Sequence, residues 1–87
     1  MSQFNITNTV DALIAKNIAA GLTSLNNDVQ QAQRRLAACQ QAFSNYQQAN
    51  SPVVNAVVAR AGSSVPIGQV PQNMTVNNDG SVTIVTG

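Results

Sequence analysis

LTSLNNDVQQAQRRLAACQQAFSNY, residues 22–46, is the stretch from which the rest of the chain is read. Its bulky or buried-type residues fall at Leu22, Leu25, Val29, Ala32, Leu36, Cys39, Phe43 and Tyr46, in steps of three and four without a miss. On an α-helix such a stripe stays on one side only if the helix supercoils against a partner. The stretch therefore predicts a heptad-bearing helix, in a coiled coil or a helical hairpin, with these residues as the oligomer interface. Leu22, Val29, Leu36 and Phe43 occupy the a layers, and Leu25, Ala32, Cys39 and Tyr46 the d layers. The flanking positions are mostly Asn, Gln and Ala with Arg35, so neither oligomer number nor helix direction is encoded in complementary charges.

Upstream, Val10, Ile14, Ile18 and Leu22 recur in steps of four and carry the helix back to Asn8 or Thr9, either of which can cap it. Asp11 falls in the first turn, where the helix dipole favours an anion. The four-four-three spacing that joins the two patterns relaxes the left-handed supercoil. Gly21 sits at that junction and costs about 1 kcal/mol of helix propensity against Ala, yet a continuous helix over 9–50 is expected. At about 1.5 Å per residue it would be roughly 60 Å long, so the molecule is expected to be extended rather than globular. Residues 1–8, in which Phe4 and Ile6 alternate with polar neighbours, read as an extended arm that docks on a neighbour or as a disordered terminus.

Downstream, Ser51 reads as an N-cap and Pro52 as the first residue of a short apolar helix over 51–61, stopped by Gly62. Val53, Val54, Val57 and Val58 make that segment apolar nearly all round, so it must pack on the long helix or on another subunit; its valines leave a strand open. Residues 62–73, with Val65-Pro66 and Val70-Pro71, read as an extended linker. Residues 74–87 read as a β-hairpin, with Thr75 and Val76 on one arm, Val82 to Val85 on the other and a turn at Asn77 to Gly80. The fold class expected is mainly α with this small C-terminal hairpin. A two-stranded hairpin is marginal alone. Val76, Val82 and Ile84, together with Phe4, Ile6, Val53, Val54, Val57 and Val58, are accordingly predicted to dock on partner subunits.

Composition narrows the function. A chain of 87 residues has a thin core, and its single cysteine and lack of histidine exclude an internal disulfide and argue against a structural zinc site, which leaves oligomerisation as the staple. Lys16, Arg34, Arg35, Arg60, Asp11, Asp28 and Asp79 are the only charged side chains, and a net charge of +1 gives neither the footprint of a nucleic-acid binder nor much repulsion between copies. Arg34-Arg35 could touch phosphates, but a solvated helix face accounts for the pair. Asn77-Asn78-Asp79-Gly80 resembles the front of a calcium loop, yet the chain has no glutamate to close one, and the turn reading is preferred. Cys39 reads as a small core residue; in parallel, in-register helices it would be placed for an intermolecular disulfide.

No basic start followed by an apolar run marks a signal peptide, and the apolar block at 53–59 is far short of the roughly 20 residues that span a bilayer. A soluble chain with no membrane partner is expected. The sequons at Asn5 and Asn73 read as chance in an Asn-rich chain. With no histidine to pair with a serine and no Gly-rich phosphate loop, no catalytic, cofactor-binding or metal residue is assigned; no enzyme and no small-molecule substrate is expected.

In overall make-up, nearly uncharged and rich in Asn, Gln, Ser, Thr and Val, the sequence resembles small virion proteins of tailed bacteriophages, such as fibre, collar or capsid-accessory subunits. No motif carries the resemblance, and it transfers no residue roles. It implies a non-enzymatic structural subunit that forms homo-oligomers and binds other subunits of a virion assembled in the bacterial cytoplasm. Two other readings fit the same residues: a small adaptor or chaperone whose helical hairpin receives a partner helix, and a helical filament subunit joined by heterologous contacts.

Overall fold

Residues 2–87 are described by a computed structural model. Strand β1 (Ser2–Ile6) leads into helix α1 (Thr9–Gln31), followed by helix α2 (Leu36–Arg60) and strands β2 (Pro71–Val76) and β3 (Val82–Thr86). Helix α1 begins as its sequence predicts. The Asn8 side-chain oxygen accepts from the backbone N–H of Val10 at 3.0 Å and of Asp11 at 3.2 Å, and the extended backbone of Asn8 turns the chain into the helix.

The single rod expected over 9–50 is not formed. At Ala32 the backbone swings to an extended conformation (φ −69°, ψ 129°), Gln33 and Arg34 bend, and α2 starts at Leu36 without a side-chain cap from Arg35. Nothing local stops the helix there, because Ala, Gln and Arg are among the better helix formers. Tertiary burial decides instead: folding back lets the two halves of the heptad stripe face each other and both helices share one sheet. Conversely, the expected break at Ser51-Pro52 is bridged. Pro52 lies inside α2. It has no N–H to give the carbonyl of Gln48, and the carbonyls just before take side-chain donors, Asn50 Nδ2 to Tyr46 O at 2.9 Å and Ser51 Oγ to Gln47 O at 3.0 Å. The short apolar helix of the sequence reading is thus the C-terminal part of α2, from Ser51 onward.

The C-terminal hairpin is completed by the chain's own N-terminal arm. The strands form one antiparallel sheet in the order β1-β3-β2, with β3 at the centre. Its register makes cross-strand rows: Phe4, Ile84 and Met74 point to one face with Ile6, Val82 and Val76, while Gln3, Val85 and Asn73 point to the other with Asn5, Thr83 and Thr75. The first face packs on the helices and the second is the amide- and hydroxyl-rich outer surface. A bulge between Pro71 and Asn73 shifts the register at the start of β2.

The core joins Ala12, Ala15, Ile18, Ala19 and Leu22 of α1 with Val54, Val57 and Val58 of α2 and Ile6, Met74, Val82 and Ile84 of the sheet. All these helical residues lie at the open end of the hairpin. Asp11 and Arg60 clasp that end, the Arg60 Nε donating to the Asp11 Oδ1 at 2.8 Å and Nη2 forming an ion pair with the same oxygen at 2.8 Å. The molecule measures 42 × 29 × 18 Å with a radius of gyration of 13.0 Å. A compact chain of this length has about 12 Å. The extended architecture expected from the stripe is therefore replaced by a mixed α/β globule, slightly drawn out along its helices.

Candidate functional site

Between residues 23 and 53 no side chain of the hairpin is fully buried. This distal part carries most of the predicted interface. Of the stripe, Leu22 is in the core; Leu25, Val29, Ala32, Cys39, Phe43 and Tyr46 are half-buried, and Leu36 is exposed. The turn at 32–35 brings the first half of the stripe against the second, so residues predicted to meet another chain meet each other. At the tip they line an open cleft of about 560 Å³, walled by Leu25, Ala32, Ala38, Cys39 and Ala42, with Asp28, Arg34 and Arg35 around it. Ala38, Ala42 and the two arginines in this role were missed by a reading built on a and d layers alone.

Tyr46 marks where the hairpin closes. Its ring lies against Gly21 so closely that a Cβ there would collide with the hydroxyl and ring carbons, and its O–H reaches the Ile18 carbonyl at 3.5 Å. The Gly21 that looked like a weak point in a rod is a seat for an aromatic ring. Phe43 also packs against the core.

The residues predicted to dock on partners divide differently. Ile6, Val54, Val57, Val58, Val82 and Ile84 are buried within this one chain, Phe4 is half-buried, and Val53 and Val76 are 40% and 49% exposed. What the sheet leaves open is its edges. Ser2–Ile6 forms one of them, and the pattern of exposed Gln3 and Asn5 against inward Phe4 and Ile6 was already visible as alternation in the sequence.

The ionisable groups are sparse and held by local geometry. The hydrogen bond from Arg60 to Asp11 raises the guanidinium pKa further above its already high ordinary value. Asp79 is the acceptor in the β2–β3 turn, taking the Ser81 hydroxyl at 2.6 Å and the Ser81 backbone N–H at 2.9 Å. Donation from that hydroxyl, then from the backbone, holds the carboxyl below the ordinary carboxylate range. Asn77 ties the same network down by donating to Ser81 Oγ and Thr83 Oγ1, both at 3.0 Å. Among the described residues, no three His, Cys, Asp or Glu side chains converge on a metal-sized site, and no helix is long and apolar enough to cross a membrane.

The architecture is a two-layer α/β unit, a helical hairpin laid on a three-stranded antiparallel sheet. No protein-family model matches the chain, and neither a curated protein nor a solved structure does.

Proposed function

We propose that the chain is a non-enzymatic structural subunit that self-associates within a larger assembly through the distal part of its helical hairpin. One observation carries the reading: past Leu22 and before Val54 the apolar stripe is only half covered, and Leu36 stands 43% exposed at the start of α2. Packing two such hairpins tip to tip would cover Leu25, Val29, Leu36 and Cys39 and bury apolar area at about 25 cal/mol per Å². With a net charge of +1, little long-range repulsion opposes it. The nearly uncharged, amide-rich make-up, which resembles that of tailed-phage virion proteins, supports a virion as that assembly. Recovery of the chain in density-purified particles, rather than in the soluble fraction of the lysate, checks that placement.

Leu36→Asp tests the contact. The new anion sits in the first turn of α2, where the dipole favours it, so the monomer keeps its fold. In a tip-to-tip contact it is a buried, unpaired charge and weakens association more than about tenfold. Gln41→Asp, on the exposed side of α2, leaves association unchanged. Equal behaviour of the two variants in a light-scattering concentration series would end this reading. A second reading, an adaptor that receives a foreign helix, is favoured by the cleft at the tip, whose small Ala and Cys walls suit a close helix approach. It predicts that the wild-type tip stays unpaired in solution and that Leu36→Asp changes nothing until the partner is added.

A further inference from the structure

We infer that β1 is a second, separate self-association surface, at which two copies pair their β1 edges antiparallel about a twofold axis to make one six-stranded sheet. The argument starts from hydrogen-bond parity. In an antiparallel ladder, residues alternate between those that bond to one neighbour and those that turn their N–H and C=O the other way. The Asn77 N–H donates to Ser81 O at 2.8 Å, and Val70 and Gly87 exchange N–H···O bonds at 3.3 and 3.2 Å, so the odd-numbered residues of β3 face β2. Val82, Ile84 and Thr86 must then bond to their β1 partners Ile6, Phe4 and Ser2. Gln3 and Asn5 are left with their backbone donors and acceptors on the free edge.

Those two residues lie symmetrically about Phe4, which makes the edge self-complementary. In the twofold register Gln3 of each copy opposes Asn5 of the other, and the two bonded pairs supply four backbone hydrogen bonds. Phe4 then meets its own copy at the non-bonded position between them, where Cα atoms approach to about 4.5 Å and aromatic pairs are favoured. Phe4 is only half-buried in one chain, so it has surface left for such a pair to cover. On the outer face the same register sets amide against amide, Gln3 beside Asn5.

The usual guards against edge pairing are charge, proline and bulges. Segment Ser2–Ile6 has none of them. The other edge is guarded: β2 opens with Pro71 and a bulge, and α1 flanks it with Lys16 across a cleft shared with Met74 and Val76. The occupant is therefore a second copy at β1. A five-residue edge is about 17 Å long and sits below the roughly 1,200 Å² of a standard interface, so the pairing is a weak one.

This inference does not rest on the hairpin contact, and parity supplies a test that separates the two. Asn5→Pro removes a free-edge donor without removing a β1–β3 bond, and the Phe4 that precedes it is already extended. The mass of wild type and Leu36→Asp, measured from about 10 µM to 1 mM to span a weak contact, should rise from 9.1 kDa toward twice that or beyond. In Leu36→Asp, where the tip is disabled, Asn5→Pro should abolish the rise. Amide hydrogen exchange gives a second reading: Gln3 and Asn5 should become protected as concentration rises, while Phe4 and Ile6 are protected throughout. If Asn5→Pro lowers the melting temperature, Asn5→Lys, which sets like charges about the axis, replaces it. A Leu36→Asp protein that stays at 9.1 kDa throughout, or Gln3 and Asn5 exchange independent of concentration, overturns the proposal.

Discussion

Gly21 and Tyr46 show how one missing Cβ sets a helix spacing. By propensity alone Gly21→Ala should stabilise α1 by about 1 kcal/mol. In the folded chain the added methyl meets the Tyr46 hydroxyl and ring, and overpacking of that kind costs about 1–3 kcal/mol. We expect a net loss, and we expect its sign to invert when Tyr46 is already Ala, because only the propensity gain is then left. A double-mutant cycle on urea unfolding reads this coupling; additivity would mean that the ring moves aside at no cost. Asp79 makes a second prediction at the same scale. Its carboxyl is held below the ordinary range by Ser81, so the charged form is favoured by folding. A group with a depressed folded pKa contributes stability above its unfolded value, near about 4, and loses it as pH falls through the folded value. Asp79→Asn should therefore melt below wild type at about pH 7 and approach it in acid, once the folded carboxyl is protonated. A gap of the same size at both would show that charge is not its source.

The helices show a prediction at the scale of an element. Pro52 removes an N–H from the middle of α2, a position where proline is about 3 kcal/mol worse than alanine. The Asn50 and Ser51 side chains add donors to the carbonyls of Tyr46 and Gln47 in the turn just before it. Pro52→Ala should thus stabilise by about 1–3 kcal/mol and raise the melting temperature by several degrees. An unchanged temperature would mean that the side-chain donors already compensate fully. The same residues explain what the sequence could and could not show. The start of α1 was legible because Asn8 and Asp11 act on their own turn. The β2–β3 hairpin was legible because Asn77 to Gly80 determine their own turn, Gly80 taking φ +90°. The bend at Ala32 to Arg35 was not, since it contains no glycine, no proline and no positive φ, and follows from what lies across the hairpin rather than along it. Pro52 misled for the converse reason: its local preference for a helix start is real, yet α2 runs through it. The stripe was expected to meet another chain; in this fold its two halves face each other across the hairpin.

At the scale of the whole molecule, the most distant parts of the chain are neighbours. Ser2 pairs with Thr86 and Ile6 with Val82, so the central strand β3 gains one of its two neighbours only by closing nearly the whole chain. Loop closure of that length costs entropy that must be met before the contact rewards it, and such contacts slow folding. The α1–α2 hairpin and the β2–β3 hairpin are local by comparison. Folding is therefore expected to await the docking of β1, which supplies Phe4 and Ile6 to the inner face and completes the sheet. A circular permutant separates this from stability. Joining Gly87 to the start of β1 by a short Gly-Ser link makes β3 and β1 a hairpin, and new ends can be opened between Ser63 and Ser64, in an exposed segment between α2 and β2. The permutant keeps every strand pairing and every core residue, makes the β1–β3 closure short and leaves α1–α2 a local hairpin. It should refold faster than the parent by about tenfold, with an unfolding rate changed far less. If instead the refolding rates coincide in stopped-flow measurements, β1 docks after the transition state, and the two local hairpins, packed through Ala15, Ile18, Val57 and Met74, are the nucleus.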